Sequence, residues 1–225
     1  MSSRRLPGKM LRAVQGRPML AYVVERLRRC RELAEVVVAT STTPDDDAIA
    51  AACGSLGVAC HRGPLDNVLG RVIDIVEARG LPAVVRISGD SPLIDPTIVD
   101  RAVRLFRDAP CDVVTNVAPR SFPRGQSVEV ISATALRKAA AGALTPDERE
   151  HVTLWFYRHP EACAITNFVA PADMSSLQLS VDTAEDFAAF VATIAAMKRP
   201  HWEYGLEEIV ALRRQLATRS AVSAT

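Results

Sequence analysis

Arg4, Arg5, Lys9 and Arg12 place four cations in the first twelve residues of a 225-residue chain whose formal net charge is only +1. Ser2, Ser3 and Gly8 lie among them. Guanidinium forks grip phosphate oxygens in pairs, a lysine on a tight turn supplies a point charge, and bare N–H groups around a glycine add hydrogen bonds. The segment therefore suits a triphosphate. A frayed basic terminus would need no rigid Leu6-Pro7-Gly8 spacer. The loop is not a Walker A motif, because Met10 follows Lys9 where Ser or Thr is required, and no glycine stands five positions before Gly8.

Two acids are the next candidates. Asp90 follows the apolar run Ala83-Val-Val-Arg-Ile87 through Ser88-Gly89, and Asp182 follows Val181 just before a helix start at Thr183. Ligands on open α/β sheets bind at the carboxyl ends of strands. A carboxylate there, beside a backbone-accessible glycine, is placed to hold Mg²⁺, which keeps several waters and needs only one or two protein carboxylates beside phosphate oxygens. An isolated Gly-Asp reads as a plain turn, and the second acid shifts the balance. Asp45-Asp46-Asp47 has the Asp-x-Asp spacing of metal-dependent glycosyltransferases, yet it follows Pro44 in a first helical turn, where each acid stabilises the helix dipole by about 0.3–1 kcal/mol. The structural reading is taken there, and Thr40 and Ser41, at the end of the strand before it, are the better functional candidates. No H-E-x-x-H occurs, so His151 and His159 do not read as zinc ligands.

The elements that must position these residues alternate. Helical spacing of Leu20, Val23, Val24 and Leu27 precedes a strand at Glu35–Ala39. A helix from Pro44 to Leu56, a short strand at Val58 and Ala59, a helix from Asp66 to Arg79, the strand Ala83–Ile87, a helix from Pro96 to Phe106 and the strand Asp112–Asn116 follow. This rhythm predicts a mostly parallel sheet with helices on both faces. After Pro119, Ser127–Ile131 alternates with period two, and helices are predicted at Ala133–Ala141 and Thr145–Arg158. Residues 119–170 read as an insertion forming the acceptor side of the cleft and a homodimer surface. Val181-Asp182 returns to the sheet, helices follow at Thr183–Met197 and Leu206–Leu216, and residues 1–217 form one domain with a disordered tail at 218–225.

A hydrophobic fraction of 48% beside 24% charged residues, with no apolar run near 18 residues, indicates neither a membrane span nor a signal peptide and leads to the expectation of a cytoplasmic protein. The five cysteines never fall as C-x-x-C, which suggests neither a disulfide framework nor a zinc ribbon. Balanced charge offers no basic face for nucleic acid, so a free nucleotide is the expected ligand.

Taken in order, Ser3-Arg-Arg-Leu-Pro-Gly-Lys9, Val38–Asp47, Arg62-Gly63 with Asp66, Arg86–Pro96, Pro123-Arg-Gly125, Arg149–Thr153 and Val181–Asp186 resemble the motifs of the CTP-dependent sugar nucleotidyltransferases, above all the spore coat polysaccharide biosynthesis protein F type. CMP-KDO synthetases and acylneuraminate cytidylyltransferases are related. The resemblance implies a three-layer, Rossmann-like mixed sheet of the nucleotide-diphospho-sugar transferase (GT-A) type. It also implies transfer of CMP from CTP to a sugar or sugar-acid hydroxyl, giving an activated sugar for cell-surface polysaccharide. Ser3, Arg5, Lys9, Ser88 and Gly89 would then bind the nucleotide, Arg5 and Lys9 at its phosphates, and Ala39, Thr40, Ser41, Arg62 and Gly63 would meet the cytosine. Asp90 and Asp182 would hold Mg²⁺, and Arg124, Gly125, Glu129, Glu150 and His151 would face the acceptor. Catalysis would rest on Lys9, Arg5 and Asp90, with no side chain standing out as general base.

The chain departs from the family in two places. Ser127 stands where the family's Pro-Arg-Gly-Leu-Asp-Val-Glu-Val has its acid, which points to a different sugar. Family members begin with a buried strand ahead of the Met-Ser-Ser segment, so the sheet is expected to lack its first strand and about ten residues are expected before Met1, the length of one strand and its turn. These departures keep open a non-catalytic sugar-nucleotide-binding homologue. A metal-dependent glycosyltransferase is the third reading.

Overall fold

The computed structural model describes residues 5–223. Ser3 and Arg4, and the last two residues of the expected tail, lie outside the described residues. A hairpin comes first: β1 (Ala13–Val14) returns antiparallel as β2 (Arg17–Pro18), and Gln15 and Gly16, with φ of 48° and 75°, provide the left-handed pair that a two-residue turn needs. Pro18 is the N-cap of α1 (Met19–Leu27). The alternation then runs β3 (Val37–Ser41), α2 (Asp47–Leu56), β4 (Ala59–Gly63), α3 (Val68–Arg79), β5 (Ala83–Arg86), α4 (Pro96–Asp108) and β6 (Val113–Thr115). It continues with β7 (Glu129–Ser132), α5 (Ala133–Ala140), α6 (Pro146–Glu150), α7 (Leu154–Arg158), β8 (Ile165–Asn167), α8 (Ala184–Ala196) and α9 (Leu206–Ser223).

Three elements differ from the periodicity reading. The single helix expected over Thr145–Arg158 is two short ones, because Val152 and Thr153 are drawn into the core beside Phe156 and the turn between them leaves the helical path. The last helix continues beyond Leu216 to Ser223, with no Gly or Pro to stop it. Val181-Asp182 is not a strand; Val181 N–H donates to Asp90 O at 2.8 Å, which ties two loops together instead.

The sheet is mixed. β3 and β4 pair in parallel, while a second sheet has the order β5-β7-β6-β8, with β7 antiparallel to both its neighbours and β8 parallel to β6. β7 and β8 fall within the segment expected as an insertion, yet they belong to the main sheet. Val130 and Ile131 point to opposite faces and are both buried, which is the mark of an inner strand and not of an appended one. Among the described residues no strand joins the two sheets, so β3 and β5 each keep one unpaired edge. Also among the described residues, no helix is long and apolar enough to cross a membrane.

One cation staples the core. Arg26 of α1 is fully buried and donates to Ile94 O at 2.5 Å, to Tyr204 O at 2.8 Å and to His201 O, joining α1 to the loop after Asp90 and to the start of α9. Burial lowers its pKa to about 10, so it stays charged at neutral pH. A backbone latch holds the far wall: Arg124 N–H donates to Leu177 O, and Arg124 O accepts from Leu179 N–H and Ser180 N–H. Gly125, at φ 93°, permits this approach, since a β-carbon there would lie 2.5 Å from Ser180 N.

Arg26→Leu should lower stability by about 3 kcal/mol, because three buried carbonyls lose their donor, and should lower Tm by roughly 6–12 °C in a calorimetric scan. Gly125→Ala should cost about 2–4 kcal/mol through the clash and the positive φ. Gly54→Ala, where nothing lies within 4 Å of a built β-carbon, is the control and should not lower the urea midpoint.

Candidate active site

The N-terminal loop delivers Lys9 to two acids remote in sequence. Gly8, at φ 68°, turns the chain into a short 3₁₀ turn at Lys9–Leu11, and buried Leu6 anchors the loop behind it. Lys9 Nζ then lies 3.2 Å from Asp90 Oδ2, 3.4 Å from Asp182 Oδ1 and 2.7 Å from Val181 O. Arg5 Nη2 is 3.0 Å from the same Asp182 oxygen. Met10 packs against Gly89, where a β-carbon would come within 3.0 Å of its methyl, and this keeps the Ser88-Gly89-Asp90 turn against the loop. Gln178 Nε2 donates to Ser180 Oγ at 2.8 Å and to Asp182 Oδ2 at 3.3 Å, fixing the second acid from behind.

The ammonium stands where both carboxylates converge, and Arg5 adds a second positive charge at Asp182. That donor set fits a divalent cation: two carboxylate oxygens leave the remaining coordination positions to waters and phosphate. Among the described residues no third His, Cys, Asp or Glu joins them.

At the ends of β3 and β4 the hydroxyls expected at the base are engaged elsewhere. Asp46 Oδ2 accepts from Thr40 Oγ1 at 2.8 Å, Ser41 N–H at 2.9 Å and Ser41 Oγ at 2.6 Å. Burial raises the Asp46 pKa, but hydrogen bonds to the carboxylate, those from Ser41 and Thr40 among them, hold the carboxyl well below the usual range. Asp46 is thus a buried loop anchor, not merely a helix-dipole acid. Arg62 likewise donates to Ser41 O, Thr43 O and Asp47 Oδ1, clamping the same loop. Ala39 is exposed at this corner, Arg62 is half-buried, and Thr40, Ser41 and Gly63 are buried.

The sheet's register builds the opposite wall. Arg86, Glu129, Thr115 and Asn167 lie at one level across β5, β7, β6 and β8. Buried Glu129 accepts from Arg86 Nη1 and from Tyr157 Oη, both at 2.7 Å, and Tyr157 Oη lies 2.8 Å from Thr115 Oγ1. Burial, with Glu129 beside it, pushes the Tyr157 phenol up and keeps it a neutral donor. Arg120 donates to Ser127 Oγ at 3.0 Å. Burial and the neighbouring Arg124 lower the Arg120 pKa, and among the described residues neither arginine has a carboxylate in ion-pair distance.

The structure therefore brings together Arg5, Lys9, Asp90 and Asp182, with Ser88 and Gly89 in the same turn. It places Arg124, Gly125 and Glu129 on the adjoining wall. Glu150 and His151 lie exposed at the end of α6, with no side-chain hydrogen bond or ion pair among the described residues tying them to the cleft. Arg12, counted with the cationic loop, stacks over Phe187 at 5.7 Å. Sequence reasoning missed Tyr157, which meets Glu129 and Thr115 far along the chain, and Gln178, which lies only four residues before Asp182.

A family model described as Cytidylyltransferase matches residues 1–222. The chain is 31% identical over 199 residues to the spore coat polysaccharide biosynthesis protein SpsF of Bacillus subtilis, covering 85% of this chain and 82% of that one. It is 39% identical over 131 residues to the 3-deoxy-manno-octulosonate cytidylyltransferase of Nitratidesulfovibrio vulgaris, covering 56% of this chain and 50% of that enzyme. A solved cytidylyltransferase from Leptospira borgpetersenii superposes with a TM-score of 0.91 at 27% identity, over 97% of this chain and 92% of that one. With its cationic loop closed on two carboxylates at the carboxyl edge of a Rossmann-like sheet, the chain belongs to the cytidylyltransferase family and is a nucleotidyltransferase.

Proposed function

We propose that this protein transfers CMP from CTP to a hydroxyl of a sugar or sugar acid, releases pyrophosphate, and so makes an activated sugar for cell-surface polysaccharide. The observation that carries the reading is Lys9, which bridges Asp90 and Asp182 in a loop rich in cations. The similarity to a spore coat polysaccharide protein and to an octulosonate cytidylyltransferase supports the acceptor class.

Attack on an α-phosphate needs alignment and charge neutralisation more than covalent help. Lys9 and Arg5 have the length and charge to leave the carboxylates and grip phosphate oxygens when a triphosphate arrives. Asp90 and Asp182, relieved of those cations, would hold Mg²⁺, which supplies charge neutralisation at the phosphates. Glu129, held by Arg86 and Tyr157, presents a fixed polar wall to the acceptor. The anion-free guanidinium of Arg120 beside Ser127 lies in that same wall.

Pyrophosphate release measured with each ribonucleoside triphosphate and a panel of 3-deoxy-ulosonic acids and amino sugars should show turnover with CTP alone. Tighter binding of GTP than of CTP in a calorimetric titration would overturn the cytidylyl reading, and binding of a nucleotide sugar without CTP turnover would favour a glycosyltransferase. Asp90→Asn should lower kcat by about 10²-fold or more at saturating Mg²⁺ while leaving Tm unchanged. Lys9→Met should lower kcat/KM for CTP by about 10²-fold, and an undiminished value would remove the loop from the site.

A further inference from the structure

Lys9 has three acceptors for the three N–H donors of its ammonium: Nζ lies 2.7 Å from Val181 O, 3.2 Å from Asp90 Oδ2 and 3.4 Å from Asp182 Oδ1. Every oxygen of the two carboxylates has a partner in turn. Asp90 Oδ1 accepts from Ser91 Oγ at 3.4 Å, and Asp182 Oδ2 accepts from Gln178 Nε2 at 3.3 Å and from Ser180 Oγ at 3.4 Å. Arg5 adds its contact of 3.0 Å to Asp182 Oδ1. Among the described residues two cations thus meet two carboxylates, and the pair offers a metal ion no net charge to draw it in.

The two cations are unequal. The Lys9 side chain is 12% exposed and its acids 24% and 25%, whereas Arg5 is 67% exposed, so water and salt screen the Arg5 contact far more. Val181 O widens the difference, because it seats the ammonium through a peptide whose N–H is bound to Asp90 O and whose next residue is Asp182. Lys9 is therefore held over both acids by a carbonyl tied to both loops. An ion shared by the two carboxylates would compete with the ammonium for Asp90 Oδ2 and Asp182 Oδ1, and the two like charges would repel at contact distance. The ammonium must swing away before the acids can take a divalent cation. A triphosphate gives it other oxygens to bind, as a charge-assisted acceptor of the same kind.

We propose that Lys9 is an internal lock on the acidic pair: in the empty enzyme it occupies Asp90 and Asp182, denies them a divalent cation, and yields when nucleotide phosphates take the ammonium away. The inference rests on the metal role proposed above for the two acids and adds a condition to it, that metal and nucleotide bind as one linked event. Linkage is reciprocal, so what the nucleotide adds to metal affinity the metal adds to nucleotide affinity. If Lys9 only pinned the loops together, its removal would loosen the fold and gain no metal.

The test is a titration of Mn²⁺ into nucleotide-free protein, followed by electron paramagnetic resonance, for the wild type, Lys9→Met, Lys9→Gln, Arg5→Met and the double variant Lys9→Met/Asp90→Asn. Lys9→Met should bind Mn²⁺ about tenfold or more tighter than the wild type, and the gain should vanish in the double variant. Lys9→Gln should show the same gain, which covers a failure of the methionine variant to fold. Arg5→Met, which removes only the exposed cation, should stay within about threefold of the wild type. In a thermal scan Mn²⁺ should raise the Tm of Lys9→Met and leave that of the wild type unchanged. Equal Mn²⁺ affinity in the wild type and the neutral Lys9 variants overturns the inference, as does a gain that survives Asp90→Asn. A lower Tm with no gain in Mn²⁺ affinity establishes the pinning alternative. Pyrophosphate release from CTP by the wild type is read separately: if it fails while the gain appears, the transfer reading falls and the lock stands, and if it occurs without the gain, the lock alone falls.

Discussion

One ammonium group holds this site together. Lys9 bridges Asp90 and Asp182, residues 81 and 173 positions away along the chain. Two carboxylates so close repel one another. The cation between them offsets that repulsion, and its side chain, only 12% exposed, sits where solvent screening is weak. Everything else around the cleft can be read as support for this meeting of charges: Gly8 turns the loop, Met10 packs on Gly89, Val181 N–H binds Asp90 O, and Gln178 braces Asp182.

The two walls of the cleft are rigid for different reasons. At the end of β3, Asp46 and Arg62 hold the chain through hydrogen bonds to Thr40, Ser41 and Thr43. On the other side, the sheet register aligns Arg86, Glu129 and Thr115, and Tyr157 closes the row from α7. Both walls place their polar groups in fixed orientations before any ligand arrives, which is how a site limits the reorganisation that binding would otherwise demand. The cationic centre between them is different in kind, since its long side chains can change partners.

The alternation of helix and strand was legible because each unit has its own hydrophobic period and its own punctuation, as in Pro96 opening α4 and Gly80 closing α3. The central place of β7 was not legible. A period-two segment following a loop reads as an insertion, and only the pairing of Glu129–Ser132 with both β5 and β6 makes it an inner strand. The break between α6 and α7 also escaped, because burial of Val152, not a breaker residue, ends the first helix.

By itself the sequence determined the chemical kinds present: a cationic loop on a Pro-Gly turn, acids at the ends of apolar runs, and a row of motifs in a recognisable order. Those are local properties, set by residue type and spacing. What only the tertiary structure decided is who meets whom. Thr40 and Ser41, exposed in prospect, turn inward to Asp46; Arg12 leaves the cationic loop for Phe187; and Glu150 and His151 lie exposed with no side-chain hydrogen bond or ion pair among the described residues. Electrostatic and hydrogen-bond partners are fixed by distance in space, and distance between residues far apart in the chain is written only by the packing of the whole fold.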